Sequence, residues 1–228
     1  MDNFASFYPI LAAIAAYLVG SLSFAVIVSK LMGLNDPRTF GSKNPGATNV
    51  LRSGNKSAAI LTLVLDALKG YIPVALVQWF GKDFGLSDGT VAMVGIAAFL
   101  GHLYPVFFKF VGGKGGKGVA TALGVVFGVH WALGLLCVAS FAIIVYFFRW
   151  VSMASLVAAA FAPIAYLFGD RVLWATDKYI TLMLGIMAMF LVYRHGANIT
   201  RLIQGNEPKL GDKKPATAVD GKIKAKTR

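Results

Sequence analysis

Charge is scarce in this chain: Asp, Glu, Lys and Arg make up only 14% of its 228 residues, against roughly 25% in a soluble domain. Hydrophobic residues reach 57% and mean hydropathy is +0.68, which excludes an ordinary soluble domain. Cysteine is nearly missing too. Cys137 stands alone in an apolar run, excluding an internal disulfide and a multi-cysteine metal site and leaving a small core thiol. No Lys or Arg precedes Lys30, so the basic region of a signal peptide is lacking and the first apolar stretch is expected to stay as a membrane helix. No internal repeat is visible, which removes support for an inverted-repeat transporter architecture.

What is there is apolar sequence in long blocks, at about 8–29, 57–80, 90–108, 118–148, 151–169 and 179–193. A helix crosses a bilayer with ~20 such residues. The block at 118–148 is too long for one span and nearly long enough for two short ones, with Gly128, His130 and Gly134 at its middle. Lys and Arg in short loops mark the cytoplasmic side. The 30–56 connection carries Lys30, Arg38, Lys43, Arg52 and Lys56, and 109–117 carries Lys109, Lys114 and Lys117, whereas 81–89 has Lys82 beside Asp83 and Asp88. Reading 118–148 as a hairpin keeps Arg149 and the cations from Arg194 onward on the inner side as well. The expectation is an all-α integral membrane protein. Seven transmembrane helices, the fourth and fifth short, run from an outer N-terminus to a cytoplasmic C-terminus. Residues 1–204 form the membrane domain, and 205–228 a basic, largely disordered tail whose lysines can graze anionic lipid.

This topology collects the unusual polar sequence on one face, in GSKNPGATNVLRSG (41–54), GHLYPVFFKFVGGKGGKG (101–118), RWVSMAS (149–155) and YRHGANITRLIQGNEPKLG (193–211). Irregular backbone near membrane depth must line a cavity or be buried in protein. In the first cluster, Gly41 and Gly46 let backbone approach a ligand, Ser42, Thr48 and Asn49 add neutral donors, and Arg52 offers a fork suited to phosphate. A plain turn at a helix end is the competing account. The second formally contains G-x-G-x-x-G, but a span precedes it where a nucleotide fold needs a strand. What survives is a glycine-rich lysine loop, with Lys114 and Lys117, opening a helix whose N-terminus favours an anion. Topology-setting lysines would look the same.

His102 lies near the inner end of a span, where a histidine is a functional candidate or a packing residue. His195 and Asn198 share a helix face. Asp66 and Lys69, spaced i,i+3 inside a span, satisfy each other and are read as a structural ion pair. Other chemistries lack their parts: there is no nucleophile elbow, no H-E-x-x-H and no carboxylate cluster for a divalent metal. The His-then-Asp signature of soluble acyltransferases is also absent, with Phe107 and Thr200 at the fifth residue after His102 and His195.

GSKNPGATNVLR, GHLYPVFFKFVGGKGGKGVATALG and RHGANITRLIQGNEPKLG together resemble the three cytoplasmic motifs of the bacterial acyl-phosphate:glycerol-3-phosphate acyltransferases; LDALKG and GSLSFAVIVSKLMG are similar to that family as well. The resemblance runs from about residue 17 to 211. It implies a seven-helix membrane enzyme that transfers an acyl group from acyl phosphate to the 1-hydroxyl of glycerol 3-phosphate, giving lysophosphatidate and inorganic phosphate. Its partners would be those two substrates and membrane lipid, with no cofactor, metal or nucleic acid. It further implies catalytic roles for Ser42, His102 and Asn198, with phosphate or acyl phosphate at Gly41, Ser42, Gly46, Thr48 and Asn49. Glycerol 3-phosphate falls to Arg52, His195, Asn198 and Lys114 or Lys117, and support to Asp66, Lys69, Ser152 and Glu207. Two departures stand out. The usual single GGKG appears as GGKGGKG, and the usual GSGN reads GSKN, with Lys43 where a glycine is common. An organophosphate or phosphate transporter is the alternative function, and a non-catalytic lipid-binding scaffold a third.

Overall fold

The computed structural model describes residues 5–108 and 115–212. Among them are ten α-helices and no strand: α1 (Tyr8–Gly20), α2 (Phe24–Leu31), α3 (Ala47–Leu51), α4 (Lys56–Phe80), α5 (Asp88–Leu103), α6 (Val119–Val129), α7 (Trp131–Phe148), α8 (Val151–Phe168), α9 (Lys178–Arg194) and α10 (Gly196–Ile203). Three helical segments, Lys56–Phe84, Trp131–Phe148 and Val151–Phe168, are long and apolar enough to cross a membrane. The bent pairs α1–α2 and α9–α10 raise the number to five if each is one span, and α5 and α6 are shorter apolar helices.

The two bends have chemical causes. Between α1 and α2 the chain turns by 42°; the Ser21 hydroxyl donates back to the Tyr17 carbonyl (2.8 Å), and the freed Leu22 carbonyl accepts from Lys69 Nζ (2.6 Å). A side chain inserted at a break is one of the few devices that kink a helix. Between α9 and α10 the turn is 61°, at His195, whose Nδ1 lies 2.8 Å from the Leu191 carbonyl. The 118–148 block divides where the expected turn residues stand: His130 is extended (φ −159°, ψ 128°), and Gly134 of α7 lies under the Phe127 ring of α6.

Lipid tails are as apolar as leucine, so helices in a membrane associate through close backbone contact. Gly20 of α1 packs on the Ala98 carbonyl of α5, and Gly124 of α6 on the Ala67 carbonyl of α4. These contacts fix direction. Tyr8 meets Phe84 in the turn preceding α5 while Gly20 meets Ala98, so α1 and α5 run parallel. Thr121 Oγ1 donates to the Asp66 carbonyl (2.9 Å) while Gly128 meets Val74, so α4 and α6 do as well. One apolar core, with Phe99, Leu103, Val125, Leu133, Tyr166 and Met183, joins these helices to α8 and α9. A smaller cluster of Ala25, Val28, Val50, Ala58 and Ala59 pins α2, α3 and α4 together, which anchors the 41–54 segment through α3.

Candidate active site

The 41–54 loop is built around Asn49. Its Oδ1 accepts from the Ser42 amide (3.0 Å), and its Nδ2 donates to the carbonyls of Pro37 (2.6 Å) and Phe40 (3.1 Å). Asn49 is buried with its whole amide committed inside the loop, where the sequence suggested a phosphate donor. Around this pin the chain turns through Gly41 and Lys43, both at positive φ (60° and 56°). The non-glycine at 43 therefore sits in a conformation that costs an L-residue about 1–2 kcal/mol, a cost that glycine would avoid. Ser42, Thr48 and Arg52 are left exposed on the outer surface of the loop.

The glycine–lysine loop comes to the same end of the bundle. Gly116 leaves no room for a side chain between His102 Nε2 and the Pro45 carbonyl of the first loop, so close approach there requires glycine. Gly115 N–H donates to the Leu103 carbonyl (2.9 Å). Arg194 Nη2 donates to the carbonyls of Gly115 (2.6 Å) and Gly116 (3.1 Å), clamping the loop from the end of α9. Gly118 takes φ 88° and opens α6. Between them, Lys117 extends its Nζ to Asn198 Oδ1. Of the two candidate lysines, Lys117 is thus drawn into the cluster, and Lys114 lies outside the described residues.

Asn198 on α10 is the hinge of the next contact: its Nδ2 donates to Glu207 Oε1 (2.6 Å), while Arg201 Nε donates to Glu207 Oε2 (2.7 Å). The buried Ser152 hydroxyl faces the same carboxylate. Trp150 Nε1 donates to the Glu207 carbonyl (3.1 Å), and Leu210 exchanges hydrogen bonds with Arg149. Residues 205–212, assigned by the sequence to the tail, therefore dock on the α7–α8 turn, and the anticipated boundary at 204 falls just before this strap. Residues 213–228 lie outside the described residues.

Electrostatics follow from burial and from neighbours. Removal of the Lys117 amine from water lowers its pKa to about 8; Glu207 opposes this shift, and Arg201, Arg52 and Arg194 add to it. His195 is lowered to about 4, first by burial and then by Lys117, so its ring is neutral near pH 7. Because the Leu191 carbonyl only accepts, Nδ1 carries the proton and Nε2 keeps a lone pair. Glu207 loses hydration on burial, yet the Ser152, Asn198 and Arg201 contacts outweigh this and hold its pKa below the ordinary value.

His102 is 7% exposed and reaches the cluster from beneath. Its Nδ1 faces Asp66 Oδ1 at 3.6 Å, and Asp66 pairs with Lys69 at 2.8 Å. The expected ion pair is present, with a third member that spacing along α4 alone could not reveal. Arg194 and Trp150 were also missed as working parts. Neither was among the individual candidate residues, and only the folded contacts bring them in. Among the described residues no group of His, Cys, Asp and Glu could hold a metal ion.

The four polar clusters thus meet in one place, with Arg52, Arg194, Arg201 and Glu207 all within electrostatic reach of Lys117 and Arg201 paired with Glu207. Comparison with known proteins accords with such a site. The family model described as "Glycerol-3-phosphate acyltransferase" matches residues 10–205. The chain is 59% identical, over 93% of its length and 94% of the relative's, to a protein of Albidiferax ferrireducens named glycerol-3-phosphate acyltransferase. A Burkholderia orbicola protein of the same name is 55% identical over 93% of this chain and 98% of its own. Crystal structures of PlsY (YgiH), an integral membrane glycerol 3-phosphate acyltransferase, superpose closely: the glycerol 3-phosphate form has a TM-score of 0.80 at 39% identity, covering 89% of this chain and 96% of that one. The lysophosphatidic acid form has a TM-score of 0.78 at 38% identity, covering 89% and 95%. This chain belongs to the glycerol-3-phosphate acyltransferase family.

Proposed function

We propose that the protein transfers the acyl group of an acyl phosphate to the 1-hydroxyl of sn-glycerol 3-phosphate, forming 1-acyl-glycerol 3-phosphate and inorganic phosphate as the first acylation of phospholipid synthesis. The observation that carries this is the surplus of cations: Arg52, Arg194 and Arg201 lie within electrostatic reach of Lys117, and against them stands Glu207, paired with Arg201. A cluster so balanced favours an added anion, and both substrates bring phosphate. The solved relative in glycerol 3-phosphate and lysophosphatidic acid forms supports the acceptor and the product.

In this reading Arg52 and Lys117 hold the glycerol phosphate, and the surface of the 41–54 loop, with Ser42 and Thr48, receives the acyl phosphate. The His195 Nε2 lone pair accepts from the glycerol hydroxyl and aims it. With a pKa of about 4, that ring is too weak a base for proton transfer near pH 7. The hydroxyl oxygen attacks the acyl carbon, the acyl–phosphate C–O bond breaks, and the hydroxyl proton leaves on the departing phosphate. Held donors stabilise the charge on that phosphate without reorganising. An acyl-enzyme has little support, because Cys137 is buried in α7 and Ser42 touches no histidine among the described contacts.

The site belongs, in the same proposal, at the cytoplasmic face of seven spans with the N-terminus outside, counting α1–α2, α4, α5, α6, α7, α8 and α9. A soluble acceptor and a fatty-tailed donor can both reach that level of the inner membrane. Release of inorganic phosphate by purified protein in detergent, given palmitoyl phosphate, is expected only when glycerol 3-phosphate is added. Release without the acceptor would point to a hydrolase or a covalent intermediate. No release from folded protein would reject transfer, and uptake by sealed vesicles would then test transport.

A further inference from the structure

We propose that Asp66 is a positioning residue for the glycerol 3-phosphate site, acting through the His102 ring on the glycine loop that carries Lys117. Its carboxylate lies about ten residues into α4, or roughly 15 Å along the helix, and its side chain is 3% exposed. Lys69 Nζ sits 2.8 Å from Oδ1 and donates to the Leu22 carbonyl at the α1–α2 break. A pair serving only to neutralise itself would end there.

Instead the same Oδ1 faces His102 Nδ1 at 3.6 Å, with both side chains buried. His102 Nδ1 makes no hydrogen bond elsewhere, and the Asp66 carboxylate, already paired with Lys69, is the ion-pair partner it faces. Unpaired buried polar atoms are costly, and catalytic-site contacts that are long without substrate commonly tighten when it binds. The opposite edge of the ring, Nε2, abuts Gly116. Gly116 and Gly115 are held from the other side by Arg194, and the next residue is Lys117. The ring is therefore a spacer with one edge on a fixed carboxylate and the other on the loop. A proton on Nδ1, directed at Asp66, sets its orientation and hence the height of the loop.

The inference rests on Lys117 as a ligand of the glycerol phosphate. Asp66→Asn alone would leave Lys69 charged and unpaired in the core, so the neutral pair Asp66→Asn/Lys69→Met is made in the natural chain and in a His102→Gln chain. Binding of radiolabelled glycerol 3-phosphate to each full-length protein is measured in detergent, and thermal unfolding checks that each is folded. The pair weakens binding about tenfold when His102 is present and less than about twofold when it is not, as for a residue acting through its neighbour. Equal losses in both chains, or no loss in either, would overturn the proposal. If the natural chain binds no glycerol 3-phosphate, the functional reading fails and takes the positioning role with it; equal losses with binding intact sink the positioning role alone. Should the pair variant not fold, nitrogen-15 histidine spectra of the natural protein decide. The signal lost in His102→Gln must show Nδ1 protonated at neutral pH, and a bare Nδ1 overturns the proposal.

Discussion

At the end of the bundle that holds His130, polar groups are consumed by the fold itself. Asp170 accepts from the Thr176 amide and hydroxyl, and Asp177 caps α9 through the amides of Tyr179 and Ile180. Trp174 lies between Tyr166 and His130 and donates its indole N–H to the Tyr166 carbonyl (2.8 Å). Lys82, Arg171 and Lys178 there stand against Asp83, Asp88, Asp170 and Asp177. At the end that holds His195, Arg52, Arg194 and Arg201 all act on Lys117, and the carboxylate that opposes them among the described residues is Glu207, paired with Arg201. One end is balanced and closed by aromatic packing; the other carries cations the fold does not neutralise. A surplus retained in one place and absent in the other is the mark of a ligand site.

Two substitutions set these ends against each other. On the proposed function, Lys117→Ala would remove a charge-assisted contact to phosphate, worth roughly 1.5–3 kcal/mol. It is expected to lower kcat/KM for glycerol 3-phosphate by about one hundredfold while the melting temperature holds. Trp174→Ala takes out the aromatic plug of the balanced end, at a cost of about 3 kcal/mol, with kcat/KM within about twofold of the natural protein. Steady-state phosphate release and thermal unfolding on both variants measure the contrast. A large catalytic loss from Trp174→Ala would show that the two ends are coupled and that the division is false.

The pH profile sharpens the comparison at Lys117. Its pKa of about 8 means the amine is charged below that pH and loses its proton above it. Glycerol phosphate takes its second negative charge near pH 6. Expected kcat/KM is therefore greatest between about 6 and 8 and falls on the alkaline side, while kcat at saturation changes less because bound phosphate holds the proton on. Lys117→Arg keeps its charge to much higher pH and should abolish the alkaline limb. Persistence of that limb in Lys117→Arg would assign it to another group.

The balance of charge was open to reading before folding, and its geometry was not. Positive-inside counting and glycine spacing gathered four clusters to one face, because charge placement and turn chemistry are local properties of sequence. Contacts between clusters are not local. Asn49, as a loop asparagine, cannot be told from a phosphate donor until its amide is seen spent on Pro37, Phe40 and Ser42. His102 and Asp66 lie on different helices, and only packing of α4 on α5 brings them together. The strap at 205–212 was polar enough to pass for tail, since a segment held by Glu207, Trp150 and Arg149 needs little apolar surface of its own. GGKGGKG offered two equivalent lysines by spacing, and of these the fold shows Lys117 meeting Asn198, with Lys114 outside the described residues.

The smallest expected effect tests whether the surplus counts every cation near the loop or only those that converge. Lys43 is exposed, stands at φ 56° and forms no ion pair among the described residues. Glycine there relieves the left-handed strain of about 1–2 kcal/mol and loses about 0.5–1 kcal/mol through the freer unfolded chain. Lys43→Gly should therefore raise stability by about 1 kcal/mol or less, seen as a small upward shift of the thermal midpoint. If the site is the convergent group alone, KM for glycerol 3-phosphate stays within about twofold, since an exposed charge is screened within a Debye length of about 8 Å in physiological salt. A severalfold rise in KM at low salt that vanishes at high salt would enlist Lys43 in the anion field, and the cationic end would then extend across the whole surface of the 41–54 loop.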